Sequence, residues 1–348
     1  MIVFTVFLAY IFFLDQTLYN NHLYLIIIFG LILAFLPADA ALTFNKKKRK
    51  QLIPIWSYMI LKFQLVVVYF YGGLAKLNVF WLSGHPGKEI IKGKFDSLDD
   101  SSILFSAMIF LITYGGIFFD LFIGFLLLKR STRLFALPLA IMFNVFNAYI
   151  FDDIYIFPFF MIAALILFLD QDQLAARIIK NQSNSESYNF KKMELNSKRI
   201  LPFLLIFMFW QLLMPLRHYF VDGYTDWTGD YQQFSWRMKI QHRTLNTFDL
   251  SLLDDDSKLR YPINYKEHLY SDEISNMINR PQMMLQFVKY IEKRVVERNN
   301  LQNYKIVGNI NVDFNGKEKL TVFDPDLDLA KLSLNDMMSK WVIPIDVE

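Results

Sequence analysis

Six apolar runs, separated by loops that alternate between strongly basic and nearly uncharged, constrain this chain more than any other feature. A helix needs about 20 mostly apolar residues, or about 17–25 with tilt, to cross the hydrocarbon of a bilayer. Runs of that kind occupy 22–37, 54–72, 101–128, 133–151, 154–169 and 200–216. Met1 to Leu14 is also apolar but too short to cross. It has no basic flank and no small-residue cleavage site, which argues against a signal peptide. We expect it to be an under-length first span, or the tail of a helix that begins upstream in an N-terminally longer protein. The expectation is a membrane α-helical bundle of about six to seven spans.

Lysine and arginine in short loops set orientation. The loops at 38–53, after Leu128, and at 170–199 hold 14 of them, including the run Lys46 to Lys50. The intervening loops at 15–21, 73–100 and 152–153 hold 4. The basic loops are therefore expected to face the cytoplasm, the run at 181–187 being a linker there. Asp15, His22, the 73–100 loop, Asp152, Asp153 and everything after Pro215 then face outside or the lumen.

Composition agrees once it is divided along the chain. The whole is 54% apolar and 20% charged, greasier than the roughly 45–50% and 25% of soluble domains. Residues 1–216, the expected transmembrane domain, carry a balance of +6, and 217–348, an expected extracytoplasmic α+β domain, carry −3. A net charge of +3 gives no reason to expect nucleic acid as a partner, and 35 Phe with 18 Tyr exclude disorder. Absence of cysteine removes disulfides, thiolate metal sites and thiol nucleophiles. No phosphate-binding glycine loop, nucleophile elbow or metal-ligand spacing is present, and no metal is expected.

In the C-terminal part, Tyr231 to His242 and Thr244 to Leu252 are expected to be strands. Met283, Met284, Phe287, Val288 and Ile291 recur at helical spacing, predicting a helix over 281–299. Lys305 to Val312 and Leu320 to Phe323 form a hairpin around Asn315-Gly316, the favoured short-turn dipeptide.

Polar residues beside the spans are the candidates for chemistry. Lys76 follows Gly72-Gly73, a pair that either breaks the helix or admits a close neighbour, and precedes Trp81, read as an interface anchor. Lys76 either snorkels to the headgroups or is a partly desolvated amine available as a base. His22 opens a span beside Asn20 and Asn21. Asn144 and Asn147 share a helix face, either as interhelical glue or as ligand contacts. Lys62 and Asp120 have a simpler reading, as an intramembrane pair.

Three blocks carry a resemblance. Leu14-Asp-Gln-Thr-Leu-Tyr-Asn-Asn-His-Leu-Tyr-Leu25 is similar to L-D-x-T-x-x-N-N-H-x-Y-L of the vitamin K-dependent gamma-glutamyl carboxylases and their bacterial relatives, the horizontally transferred transmembrane (HTTM) domain family. Val68 to Asn78, with Trp81, resembles that family's V-Y-F-x-x-G-x-x-K-L-x-x-x-W. Leu213 to Phe220, Gly223 to Thr228 and Phe234 to Met238 resemble its entry into a lumenal domain, and Phe323-Asp-Pro325 with Asp328 adds a weaker match. The match departs from the pattern at Ala75, where a second lysine is frequent, and at Asn144, where H-x-x-N is usual.

The resemblance implies a multi-pass protein of the bacterial inner membrane or an endomembrane, its C-terminal domain on the extracytoplasmic or lumenal side. It implies carboxylation of a Glu-containing peptide or protein, with reduced vitamin K or menaquinol as cofactor and O2 and CO2 as co-substrates. Lys76 would be the catalytic base, with His22, Asn21, Asn144 and Asn147 at the quinone. Arg217, His218, Trp227, Trp236 and Arg237 would position the peptide. No side chain is basic enough for the gamma-carbon of glutamate, so cofactor oxidation must supply the drive. Two alternatives stay open: quinol oxygenation or epoxidation without carboxylation, and a non-catalytic membrane binding module.

Overall fold

The computed structural model describes residues 1–36, 55–151, 154, 156–170, 197–299 and 303–347. The run Lys46 to Lys50, Asp152, Asp153 and the 181–187 linker lie outside them. The chain forms two compact units, each built from two stretches. Met1–Leu74 and Gly116–Pro215 make the first, and Ala75–Gly115 and Leu216–Glu348 the second.

The first unit is helical. Its elements are α1 (Ile2–Leu14), α2 (Asn21–Phe35), α3 (Ile55–Ala75), the second half of α6 (Ile103–Leu128), α7 (Arg130–Ile150), α8 (Phe157–Phe168) and α9 (Ser197–Leu213). Asp15 and Asn20 cap the connection between α1 and α2, accepting from the backbone N–H of Thr17 and Leu23 at 2.8 Å each. Among the described residues four stretches are long and apolar enough to cross a membrane: 56–75, 103–128, 130–150 and 201–220. The helices α1, α2 and α8 are equally apolar but shorter.

Helix α3 is the most enclosed, and small residues explain how. A Cβ on Gly73 would stand 2.8 Å from the Leu121 backbone nitrogen, and one on Gly124 would stand 3.1 Å from Val66 Cα. Gly73 and Gly124 thus let α3 and α6 cross at backbone contact, the geometry small residues favour where lipid supplies no hydrophobic drive. The glycine pair at 72–73 therefore admits a neighbour and leaves the helix unbroken. On another side Tyr71 Oη donates to Leu212 O at 2.6 Å and Gln64 bonds Gln211 at 3.3 Å, tying α3 to α9. Lys62 does not pair with Asp120. Its ammonium lies over the rings of Tyr58 and Phe168, 4.1 and 5.4 Å from their centroids.

The second unit contains α4 (Val79–Leu82), α5 (His85–Lys94), the first half of α6, α10 (Thr225–Thr228), α11 (Ser271–Ile278) and α12 (Pro281–Asn299). Its sheet comprises β1 (Arg243–Asp254), β2 (Arg260–Ile263), β3 (Tyr304–Phe314) and β4 (Lys317–Thr321), antiparallel in the order β2-β1-β3-β4. Phe248 and Leu250 of β1 with Ile306, Ile310 and Val312 of β3 bury one core with Met284, Phe287 and Ile291 of α12. The helical spacing read from the sequence is the face that meets the sheet. Asn315 and Gly316 take φ of 44° and 90°, the paired left-handed conformation a tight hairpin requires.

Two expectations fail here. The segment 231–242 is not a strand, because Tyr231, Phe234, Trp236 and Lys239 hold φ of 54°, 61°, 57° and 55°, which no pleated backbone accommodates. The 73–100 connection is not a plain loop. Asn78 caps α4, and Gly84 at φ 81° with Pro86 in the first turn starts α5.

Candidate functional site

Lys76 lies in a three-residue joint between α3 and α4. Asn78 closes that joint from both sides: its Nδ2 donates to Ala75 O at 2.8 Å and its Oδ1 accepts from Trp81 N at 3.0 Å. The lysine is half-buried, with Nζ 5.3 Å from the centroid of the Trp81 ring. Trp81 is 3% exposed and donates from Nε1 to Thr113 O at 3.0 Å, so it is a packed residue of this unit and not an interface anchor. Thr113 belongs to a π turn, Leu111–Gly115, within α6.

The second group surrounds a buried carboxylate. Asp226, 0% exposed, receives Nε and Nη2 of Arg237 at 2.6 Å each, the two-pronged geometry that suits guanidinium to carboxylate. Arg237 Nη1 stands 3.1 Å from His218 Nε2. Arg243 donates to the carbonyls of Asp226 and Trp227 and lies over the rings of Trp227 and Phe314. Burial pushes the Arg237 guanidinium down, but the hydrogen bonds and charge of Asp226 outweigh it and hold it above its ordinary value. Burial draws Arg243 down to about 9 against the opposing pull of Asp226. Burial first, and the Asp226 charge second, push the Tyr224 phenol up.

The strained segment 231–239 is held by this group. Left-handed backbone at bulky residues costs about 1–2 kcal/mol each. Arg217 bonds Gln233 O and lies over the Tyr231 and Phe234 rings at 5.0 and 5.7 Å, and Asn315 Nδ2 fastens Ile240 O at 3.1 Å. Trp227 and Trp236 are 1% and 0% exposed, with Trp227 Nε1 bonded to Ile343 O at 2.7 Å. They stand behind the surface, whereas Arg217 and His218 are half-buried.

In the first unit, His22 opens α2 with its ring 6.1 Å from Phe157, and Asn21 accepts from Tyr19 Oη at 3.1 Å. Asn144 is 1% exposed and its Nδ2 donates to Tyr69 Oη at 3.2 Å and Ala140 O at 2.8 Å. Asn147, one turn on, is half-buried. Of the residues named from the sequence, His22, Asn21, Asn144 and Asn147 belong to the first unit, and Lys76 and the Arg217–Arg237 group belong to the second. Sequence reasoning missed Asp226, Arg243 and Thr113. Asp226 had one signal, its place beside Trp227 in the third block, but its arginines are 11 and 17 residues away and only folding brings them together.

A helical unit with membrane-length apolar helices and a second unit built on a small antiparallel sheet define a membrane protein carrying a globular domain. Residues 1–173 match the HTTM domain, and residues 196–348 match the lumenal domain of vitamin K-dependent gamma-carboxylase. The chain belongs to this HTTM and vitamin K-dependent gamma-carboxylase family. No solved structure matches it.

Proposed function

We propose that this protein is a gamma-glutamyl carboxylase-like membrane enzyme that couples oxygenation of a reduced vitamin K-type quinone, vitamin K or menaquinol, to CO2 addition at a peptide glutamate. One observation carries the reading: the two domains of the carboxylase family occur in order in one chain. The residues present suit a quinol. A half-buried amine at Lys76, an imidazole at His22 and amides at Asn21 and Asn147 are groups that donate to or accept from a phenolic oxygen. Asn144 suits it less directly, since its amide already serves Tyr69 and Ala140.

The quinol, when bound and oxidised, supplies the basicity that no side chain has. Lys76 is assigned the opening proton, taken at Nζ from a phenolic oxygen while the amine is neutral. Asn78 fixes the backbone on both sides of it. Arg217 and His218 are assigned to the peptide, with Arg237 orienting His218 and Trp227 and Trp236 backing the segment that presents them. In this reading α1, α2 and α8 join the four longer helices in the bilayer, for six to seven spans. A 15-residue helix rises about 22 Å, so α2 would have to sit where the bilayer thins. The C-terminal domain would lie on the extracytoplasmic or lumenal side.

Labelled bicarbonate and a Glu-containing peptide, with reduced vitamin K or menaquinol, test the proposal in lipid nanodiscs. Quinol-dependent incorporation is expected, and Lys76→Ala should abolish it. Incorporation no higher than in a folded Lys76→Ala control refutes it. A second reading, quinol epoxidation without carboxylation, predicts quinone epoxide from the same mixture without labelled peptide.

A further inference from the structure

The joint carrying Lys76 is anchored to α6 by contacts that helix formation does not require. Trp81 Nε1 donates to Thr113 O at 3.0 Å, and Tyr114 Oη donates to Leu82 O at 3.2 Å. Both α6 residues lie in the π turn Leu111–Gly115. A π turn interrupts the regular α ladder, and such turns gather at functional sites. Here it presents a carbonyl and a phenol to α4. Close approach is secured by glycines: a Cβ on Gly87 would stand 3.1 Å from Thr113 Oγ1, and one on Gly84 would stand 2.9 Å from Ile109.

The indole is consequently fixed in its plane. It is 3% exposed, tethered at Nε1, and held at its backbone by the Asn78 cap. Its neighbour Phe80 packs the opposite way, against Phe314 and Tyr224, each 5.4 Å between centroids, so α4 cannot roll without opening that core. Against this fixed ring lies the Lys76 ammonium. An aromatic face attracts a cation through the quadrupole of the ring, and Trp is the ring that does so best.

We propose that Trp81 is a positioning residue for Lys76, its indole tethered to the π turn of α6 and serving as the seat on which the ammonium rests once the amine has taken up a proton. The proton passes from a phenolic oxygen to Lys76 Nζ, leaving the negative charge on that oxygen, and the seat stabilises only the protonated amine. The inference rests on Lys76 as the base, but its first test does not require turnover.

The full chain in nanodiscs is labelled with a limiting amount of an amine-acylating reagent, and Lys76 modification is measured by peptide mass spectrometry relative to exposed Lys258. Trp81→Ala should raise that ratio roughly two- to fivefold, with Trp81→Phe in between, because phenylalanine retains a ring face but not the Nε1 tether. The ratio of Lys289 to Lys258 should not move, which reports that the fold is kept. Should Trp81→Ala not fold, Trp81→Phe decides alone, with a rise again expected. An unchanged Lys76 ratio in a folded variant overturns the inference. Where turnover is found, Trp81→Ala should lower kcat while leaving KM for the quinol unchanged, and Trp81→Phe should restore part of it. A labelling change without carboxylation in any variant would refute the carboxylase reading and leave the seat intact.

Discussion

Asp226 is the residue whose removal the structure makes most consequential. Both of its oxygens receive Arg237 at 2.6 Å, the pair is enclosed at 0% and 7% side-chain exposure, and its own carbonyl receives Arg243. Asp226→Ala leaves one guanidinium buried with no carboxylate and a second without the opposite charge that offsets its burial. Breaking such a pair from one side costs about 3–5 kcal/mol, far more than the pair contributes relative to apolar residues. In a unit of about 170 residues each kcal/mol moves the melting midpoint by about 2–4 °C, so a loss of roughly 6–20 °C is expected. Thermal unfolding followed by near-ultraviolet circular dichroism measures it. The double variant Asp226→Ala/Arg237→Met should recover much of the loss, since no unpaired charge then remains at that position. A midpoint shift under 2 °C, or a double variant as unstable as the sum of its parts, would refute the argument. It would return Arg237 to a role facing substrate.

Thr113→Val should raise the midpoint by a few degrees, because the Thr113 hydroxyl is buried with no hydrogen-bond partner among the described residues and such burial costs about 1–3 kcal/mol. The Trp81 bond uses the Thr113 main chain and should survive, so Lys76 labelling in this variant should match wild type. Asp313 accepts from the Lys319 backbone N–H and from Asn246, which hold its carboxyl below the ordinary 3.8. A depressed carboxyl stabilises the fold above that ordinary value and loses its effect as pH falls through the lowered one. Asp313→Ala should therefore be less stable at pH 7 and indistinguishable from wild type once the carboxyl is protonated, as denaturant midpoints across an acid series will read.

Local signals located α12 and the β3–β4 hairpin, because each is specified within a few residues: the first by a periodic apolar face, the second by Asn315-Gly316. The apolar runs likewise located α3, α6, α7 and α9, since no other structure satisfies the backbone of so long an apolar segment in lipid. The 231–242 segment was misread for the opposite reason. Its aromatic content resembles a strand, but its backbone is fixed by Arg217, Asp226 and Asn315, which all lie outside the segment, Asn315 being 75 positions from the Ile240 carbonyl it holds. The site followed the same division. Lys76 stood out as a charge beside an apolar run, while the indole beside it was legible only as a lipid anchor.

What the sequence by itself determined was the family, the apolar helices and the chemical types available, because motif order and local pattern are properties of the chain. Only the tertiary structure decided which partners those groups have. Trp81 became a buried seat tied to a π turn, Arg237 a brace on a carboxylate, and Gly73 a point of helix contact. Each depends on residues 32, 11 and 48 positions away, and no local pattern records a neighbour at that distance.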